Sequence, residues 1–277
     1  MGIEEVLQLE IHRARWRRER EACSLVNPDD KGFAVGRLPL PGTDPLVRLL
    51  ILPADPEVER LALDDSFWEW FTGGLPDPGT GRTAEWGSRH RPTSRTALRY
   101  QSYGSDECRR YLAVHRSGAL EMGLGRDAGY VAEPATEMDG GPQAVGRGAE
   151  NSLCLTTTVG RVWAAAAAYA ELLERWPIEG PFQAVLGVRL TQGMVLRDFG
   201  TGWLEPGRAF SEDPVVCSEL GLLRLLELAS WPEQDGIQAF AFDVGSWLKD
   251  AFGSRHRRYI AREGPFQDQF DCGRCGW

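Results

Sequence analysis

The sequence predicts an α+β fold, a mixed or antiparallel sheet with packed helices. Apolar strands and amphipathic helices follow one another without the regular strand–helix–strand order of a parallel sheet. In addition, the stretch 151–199 combines a predicted strand, a long helix and a β-hairpin that can bury one another's apolar surface. The chain has 277 residues, enough for one large domain or two smaller ones. We therefore expect the core to form around 151–199.

The long helix of this stretch is predicted by the period of its apolar residues. They recur at steps of three and four from Val159 to Trp176, which places them on one helix face. A strand, Ser152–Thr156, precedes the helix, and Thr157 or Thr158 is the expected N-cap. Pro177 ends the helix, because the residue before a proline avoids the helical region. The hairpin that follows is FQAVLGVRL (182–190), a turn at 191–193, and MVLRDF (194–199).

Ahead of this stretch, a buried strand is predicted at Leu46–Leu52 and a short helix, capped by Asp64, at Asp65–Phe71. The helix has four large aromatic residues in five positions, and they cannot all face one core. We expect some of them to be exposed and to meet another chain or cover a sheet edge: Phe67, Trp68, Trp70 and Phe71. The segment 72–94 is rich in Gly and Pro and is expected to be a long surface loop.

Local turn signals order the rest of the chain. Strands at 96–103 and 110–116 are followed by a tight turn, 117–118, into a third strand, 119–125. The Gly/Pro-rich connection 133–150 is the expected linker between an N-terminal α+β lobe (1–132) and a C-terminal α+β lobe (151–277) that ends in a short cysteine-containing tail. In the second lobe, helices are predicted at Ser218–Trp231 and Val244–Phe252.

Composition restricts the class of protein. The fractions of hydrophobic residues (42%) and charged residues (26%) are typical of a soluble globular domain, and a cytoplasmic location without membrane contact is the expectation. The net charge of −9 argues against non-specific nucleic-acid binding by the whole surface. Arginine greatly outnumbers lysine, which indicates a GC-rich, actinobacterial-type genome and favours bidentate pairing with carboxylates or phosphates.

Two local basic patches are candidate binding surfaces. The first lies on a predicted amphipathic helix, Ile3–Cys23, whose basic end is either a solvated face or a docking face for RNA, DNA or an acidic partner. The second lies near the C-terminus. Their residues are Arg13, Arg15, Trp16, Arg17, Arg18, Arg255, Arg257 and Arg258.

The sequence motifs of common catalytic sites are absent. The chain has no Gly-Lys-Ser/Thr of a P-loop, no HExxH and no Gly-x-Ser-x-Gly. The weak catalytic candidates are His90, in the long loop between two arginines, and His115, which can lie near Glu121 on the next strand.

The tail contains the one pair of residues with metal-ligand spacing, Cys272 and Cys275. A structural zinc site needs four ligands, and this pair supplies two. Three alternatives stay open: no specific role, zinc with further ligands, or a redox pair.

The order of several segments resembles a known family. A charged helix, the strand-to-proline segment LVRLLILPADP, the hairpin strand HRSGALEMG and RVWAAAAAYAELLERW followed by GPFQAVLGVRL resemble the region that follows the AlbA-type domain in bacterial Schlafen-like ATP- or DNA-binding proteins. The resemblance covers about residues 1–200. Because the AlbA-type domain is missing, no functional residue carries over. The resemblance implies an accessory or assembly module of a prokaryotic regulatory or defence system.

Three hypotheses of function follow from the sequence. The first is a non-catalytic protein that binds a partner protein or itself, because large aromatics and arginine are the residues that dominate interfaces. The second is an enzyme that acts on an anionic small substrate with His90, His115, Glu121 and arginines. The third is an accessory protein that binds nucleic acid through its arginine-rich patches. No cofactor is expected apart from the zinc alternative.

Overall fold

A seven-stranded antiparallel sheet is the largest element among the residues that the structure describes, and together with the helices it confirms the α+β prediction. The computed structural model describes residues 46–53, 58–78, 82–103, 107–125, 132–133, 152–180, 182–188, 195–197, 207–208, 222–228, 234–252, 260–261 and 269–270. Within these ranges it contains three helices: α1 (Asp65–Gly73), α2 (Leu155–Arg175) and α3 (Gln234–Ala251).

The strands form one large sheet and three small ones. The seven-stranded sheet has the order β13-β10-β1-β7-β6-β5-β4, and a four-stranded sheet has the order β12-β11-β9-β8. Two further pairs are β2–β3 and β14–β15. The bounds are β1 Val47–Leu52, β2 Pro76–Asp77, β3 Arg82–Thr83, β4 Arg89–Pro92, β5 Thr96–Tyr103, β6 Glu107–His115, β7 Leu120–Leu124, β8 Ala132–Glu133, β9 Ser152–Cys154, β10 Phe182–Val188, β11 Val195–Arg197, β12 Gly207–Arg208, β13 Leu222–Leu228, β14 Ile260–Ala261 and β15 Gln269–Phe270.

The two faces of the large sheet are different. On one face, alternate residues of β1 such as Val47, Leu49 and Ile51 pack in the main core together with all three helices. The opposite face has two small apolar clusters, one around Leu50 and one around Leu98, and a group of buried polar side chains. The alternation follows from the two-residue period of side chains along a strand.

Three of the four aromatic residues of α1 are buried and the fourth, Trp68, is partly buried, so the prediction of exposed aromatic side chains on this helix is wrong. Phe67, Trp70 and Phe71 stand at positions i, i+3 and i+4 and therefore share one helix face. That face packs on the core and meets Trp176, whose ring centroid lies 5.5 Å from that of Phe67. Trp68 is partly buried beside them. The predicted cap is present, since the Asp64 carboxylate accepts a hydrogen bond from the backbone N–H of Phe67 at 3.0 Å.

The central helix begins earlier than the sequence predicts. It starts at Leu155, directly after β9, and its preceding residue, Cys154, makes no side-chain capping bond. Thr157 and Thr158 are buried inside its first turns and cap nothing, because the apolar face of α2 extends to the very start of the helix. The end is as expected: the backbone N–H of Trp176 closes the last turn on Leu172.

The predicted hairpin of 182–199 is wrong. β10 pairs with β1 on one side and with β13 on the other, both antiparallel, so neither of its edges is open to β11. β11 instead pairs in parallel with β9 and antiparallel with β12 in the four-stranded sheet. The apolar run of β10 is explained by this central position in the sheet.

A second correction concerns 218–231, where a strand replaces the predicted helix. The segment LLRLLEL forms β13, which pairs with β10 along its full length. A run of leucines fits a buried strand and a helix equally well, and here the pairing with β10 decides the outcome. The last predicted helix exists but begins at Gln234, ten residues before Val244, and packs on α2.

The remaining secondary-structure predictions are partly confirmed and partly corrected. The strands expected at 46–52, 96–103, 110–116 and 119–125 are β1, β5, β6 and β7. The expected loop 72–94 instead contains the short strands β2, β3 and β4. Strands from both sides of the predicted boundary share the large sheet, and of the proposed linker only Glu133 is described. The first helix lies outside the described residues.

Candidate anion-binding site

Three arginines from β5, β6 and α2 contact the segment 85–87 at the helix-covered face of the sheet. Ala97 of β5 and Leu112 of β6 belong to the main core. Because side chains two residues apart on a strand share a face, Arg99 and Arg110 stand on this same face. Arg161 approaches them from α2. We refer to Arg99, Arg110 and Arg161 as the arginine cluster.

Arg99 fixes the position of two neighbouring segments. Its Nε donates a 2.9 Å hydrogen bond to the carbonyl oxygen of Gly87, and its Nη1 donates one of 3.1 Å to the carbonyl oxygen of Phe71. The partly buried guanidinium thus ties the end of α1 and the segment before β4 to the sheet. Since both bonds go to uncharged carbonyls, the charge of Arg99 is not neutralised by them.

Glu85 connects the other two arginines. Its carboxylate Oε2 lies 3.3 Å from Nη2 of Arg110, and its backbone carbonyl accepts a 3.3 Å hydrogen bond from Nη1 of Arg161. Arg110 is only 6% exposed, whereas the Glu85 side chain is 82% exposed. A nearly buried cation is therefore paired with a carboxylate that extends into solvent.

A glycine allows this segment to lie against the sheet. Gly87 has φ +108°, and a Cβ built on it would come within 2.2 Å of the backbone oxygen of Tyr100. Only glycine fits such a close approach at a left-handed φ. Trp86, its neighbour, is fully buried, and the Arg161 guanidinium carbon stands 5.8 Å from the centre of its ring. That distance and arrangement are those of a cation–π contact.

The electrostatics of the cluster favour an anion. Burial, and then the charge of Arg110, lowers the pKa of Arg161 to about 10, against weaker opposing effects of Asp77 and Glu85. Burial and the charge of Arg110 also lower the pKa of Arg99. Arg110 thus acts on both other cations. Three guanidinium charges in one partly desolvated place repel one another, and a bound anion relieves that repulsion.

Two buried donors of the site have spare hydrogen-bonding capacity. Nε of Arg161 and Nε1 of Trp86 are buried, and neither has a hydrogen-bond partner in the part of the chain that the structure describes. The same holds for the hydroxyl of Thr158, which precedes Arg161 by one helical turn. Buried donors of this kind are costly unless a ligand or water satisfies them.

A separate polar group lies on the opposite face of the sheet. The Thr96 hydroxyl is 3.0 Å from Nδ1 of His115, and Nε2 of His115 is 3.5 Å from Oε2 of Glu121. The predicted proximity of His115 and Glu121 is thereby confirmed. Tyr111 donates a 2.7 Å hydrogen bond to the other oxygen of Glu121. Burial, and then the charge of Glu121, raises the pKa of Tyr111 well above its usual value. All four side chains are buried, so the group is closed to a substrate.

His90 occupies a different environment. It lies on β4, whose four residues are all exposed, and it pairs across the strands with Arg99. Partial desolvation and then the charge of Arg99 lower the pKa of His90 below 6.5. Arg89 and Arg91 flank it, so β4 presents a basic edge, but these two arginines pair with Tyr100 and Leu98 on the sheet face opposite to the arginine cluster.

The remaining predicted site residues lie elsewhere. Among the described residues, no group of three or more His, Cys, Asp or Glu side chains has the arrangement of a metal site. The Cys272–Cys275 pair with its zinc alternative stays a prediction, and so do the basic patches. These residues are outside the described part of the chain: Arg13, Arg15, Trp16, Arg17, Arg18, Arg255, Arg257, Arg258, Cys272 and Cys275.

Sequence reasoning did not identify the arginine cluster. A signal was present in β6, where Arg110 shares its strand face with the apolar Leu112 and Val114. An arginine on an otherwise apolar strand face is either paired or functional. The convergence of Arg99, Arg110 and Arg161 could not be found this way, because three distant segments have to come together.

Comparison with protein-family models, with curated proteins and with solved structures found no match to this chain. The Schlafen-like resemblance therefore stays a prediction. None of the helices in the described ranges has the length and apolarity required to cross a bilayer.

Proposed function

We propose that this protein works by binding, and that the arginine cluster holds an anionic group of a partner protein. The observation that supports this most directly is the convergence of Arg99, Arg110 and Arg161 from three elements, with one exposed carboxylate, Glu85, bonded to Arg110. Arginine is the residue best suited to charge-assisted, bidentate recognition of carboxylate or phosphate. The resemblance to the Schlafen-associated region further suggests that the partner belongs to a prokaryotic regulatory or defence complex, in which this protein is an assembly module.

Binding fits the chemistry of these groups better than bond-making does. A guanidinium remains protonated at neutral pH and is a poor general acid or base. The His115–Glu121 pair, on which an enzyme hypothesis depended, is buried on the other face of the sheet. Three of the four aromatic residues of α1 are also buried, so the proposed contact surface moves from the aromatic residues to the arginines.

A protein partner fits the charge balance better than a nucleic acid does. The chain carries a net charge of −9, which repels a polyanion over most of its surface. The arginine cluster is compact and suits one or two anionic groups, whereas nucleic-acid affinity comes from many phosphate contacts. The basic edge of β4 is the feature that favours nucleic acid, and the test below therefore includes an oligonucleotide probe.

Fluorescence anisotropy of the full chain tests the proposal. The probes are a labelled hexaglutamate peptide and a labelled single-stranded oligonucleotide of 12 bases. We expect the peptide to bind in a salt-dependent manner and Arg161→Gln to weaken it at least tenfold. The control is Arg175→Gln, because Arg175 lies on the same helix but pairs with Glu171 at an exposed position. This variant is expected to change the affinity less than twofold.

Two results would contradict the proposal. Binding of the oligonucleotide in preference to the peptide would establish the nucleic-acid hypothesis instead. If neither probe binds, or if Arg161→Gln and Arg175→Gln weaken the peptide equally, the arginine cluster is not the contact site.

An enzyme acting on an anionic substrate is the second candidate, and His90 is the observation that favours it. Its lowered pKa keeps the exposed imidazole neutral near pH 7, and it lies beside Arg99. A neutral imidazole next to a bound anionic substrate is suited to transfer a proton to or from that substrate. Hydrolysis of p-nitrophenyl phosphate at pH 7.5 by the wild type, lost in His90→Gln, would support this candidate over pure binding.

A further inference from the structure

We infer that the group held by the arginine cluster is a phosphoryl group on a partner protein's side chain, and that the Glu85 carboxylate occupies its place on Arg110 until it arrives. The inference rests on the proposed binding function and specifies its ligand. It is carried by the charges of the site, by the exposure of Glu85 and by the donors around Arg161.

Charge distinguishes a phosphoryl group from a carboxylate. A carboxylate has one negative charge and two oxygens, and one guanidinium can already satisfy both. A phosphoryl group has close to two charges and three acceptor oxygens at pH 7. Three guanidinium charges, less the charge of Asp77, leave a formal charge of +2 once the Glu85 carboxylate has moved away, which matches the charge of the second ligand.

Glu85 has the properties of a replaceable occupant. Its side chain is 82% exposed and reaches Arg110 through one contact of 3.3 Å. Water can compete for this exposed carboxylate, although the Arg110 guanidinium that it contacts is nearly buried. The backbone of the same residue is held separately by Arg161 through the carbonyl oxygen. The carboxylate can therefore rotate away from Arg110 while the segment stays in position.

The donors around Arg161 fit the arriving group. Nε of Arg161 and Nε1 of Trp86 are buried and without a hydrogen-bond partner in the described ranges. They belong to residues in mutual contact, since the Arg161 guanidinium lies over the Trp86 ring. Arg110 and Arg161 both contact Glu85, so a phosphoryl group that takes the place of its carboxylate arrives beside both guanidinium groups. A phosphoryl group has three oxygens to share between them, whereas a carboxylate has two.

The test is isothermal titration of the full chain with a phosphoserine hexapeptide, the matching glutamate hexapeptide and AMP. All titrations are made at pH 7.5 and constant ionic strength. We expect the phosphoserine peptide to bind at least tenfold more tightly than the glutamate peptide and AMP. Glu85→Gln is expected to tighten phosphoserine binding about three- to tenfold. The control is Glu171→Gln, which removes the carboxylate of another Arg–Glu pair, with Arg175 on α2, and is expected to change nothing.

A pH series adds a readout that a merely structural role would not move. The second pKa of a phosphoryl group is about 6, so the dianion is lost between pH 7.5 and 5.5. Affinity for the phosphoserine peptide is expected to fall over this range, whereas affinity for sulfate, which stays dianionic, is not.

The outcomes separate this inference from the function on which it rests. If Glu85→Gln binds like the wild type while Arg161→Gln loses binding, displacement of Glu85 is wrong and the proposed function stands. Equal affinity for the glutamate and phosphoserine peptides would overturn the phosphoryl preference alone. Tighter binding of AMP would overturn the protein source of the phosphoryl group. Loss of binding to all three ligands would overturn both proposals.

Discussion

The Tyr111 hydroxyl donates a 2.7 Å hydrogen bond to the Oε1 atom of Glu121, and both side chains are buried. The two residues come from adjacent strands, β6 and β7. On the same face, His115 lies 3.5 Å from the other carboxylate oxygen. A buried carboxylate is tolerated only where charge-assisted bonds replace its water. Tyr111 supplies such a bond to Oε1, whereas Oε2 has the 3.5 Å contact with His115 but no hydrogen-bond partner among the described residues.

Replacement of Tyr111 by Phe tests this relationship. The variant keeps the ring but leaves one oxygen of a buried acid without its donor, which costs about 1–3 kcal/mol of unfolding free energy. Urea denaturation followed by circular dichroism measures the change. Tyr100→Phe is the matched control, because Tyr100 lies opposite Tyr111 on β5 and is only partly buried. It is expected to change stability by less than about 0.5 kcal/mol. Equal losses in both variants would contradict the role of the hydroxyl.

The position of the Tyr111 ring depends on a glycine. Gly123 pairs with Tyr111 across the strands, and a Cβ at this position would come within 2.0 Å of the tyrosine ring. Gly123→Ala is therefore expected to destabilise the protein by about 1–3 kcal/mol through overpacking. The same substitution in a Tyr111→Ala background is expected to cost much less, because the clash is gone. Thermal denaturation of the wild type, the two single variants and the double variant gives the coupling energy between positions 111 and 123.

Gly73→Ala is the control for that experiment. A Cβ on Gly73, at the end of α1, meets no atom within 4 Å. The substitution is expected to be neutral or to stabilise slightly, since alanine is the better helix former. A penalty for Gly123→Ala that persists without the Tyr111 ring would show that the backbone, and not the ring, requires glycine there.

Local signals in the sequence identified the β5–β6–β7 meander and the contact of His115 with Glu121. The turn at 117–118 fixes the register of β6 on β7, so residues near the turn could be placed together without any knowledge of the rest of the fold. The prediction failed where pairing is distant. β10 lies between β1 and β13, and neither partner is a neighbour in sequence.

The candidate site was hidden for the same reason. Arg99, Arg110 and Arg161 belong to three separate elements, and the backbone of 85–87 joins them only after the segment has folded against β5. The basic runs that the sequence does display lie at positions 13–18 and 255–258, outside the described residues. Within the described ranges, the arginine cluster therefore contains none of the residues that form these two basic runs in the sequence.

The burial of the α1 aromatics leads to a stability prediction. Phe67 is fully buried and stacks on Phe71 with a centroid distance of 5.5 Å. Phe67→Ala is expected to cost about 3–5 kcal/mol, the usual loss for an aromatic core residue. Trp68→Ala removes a larger but only partly buried side chain and is expected to cost less than half as much. Chemical denaturation of both variants measures the difference. A larger loss for Trp68→Ala than for Phe67→Ala would contradict the packing of the Phe67 face of α1 on the core.

The charge of Arg99 also leads to a prediction about the pKa of His90. Partial desolvation and this charge together hold the pKa of His90 below 6.5. Arg99→Gln removes the charge, so the pKa of His90 is expected to rise towards 6.5 without reaching it, since desolvation remains. Arg99→Lys keeps the charge and is expected to leave the pKa low. Proton NMR titration of the four histidines, with His90→Gln to assign the signal, measures both.

The same shift has a consequence for stability. A proton binds more tightly to the unfolded chain than to folded His90, so the free energy of unfolding decreases as the pH falls from above 6.5 through the lower folded pKa. Arg99→Gln narrows the pH range between the folded and the unfolded pKa of His90. In the wild type, 0.5 M NaCl has the same effect, because salt screens the interaction of Arg99 with the exposed imidazole. If the pKa of His90 is unchanged in Arg99→Gln and in high salt, then Arg99 does not act on His90. The β4 edge is then electrically separate from the arginine cluster.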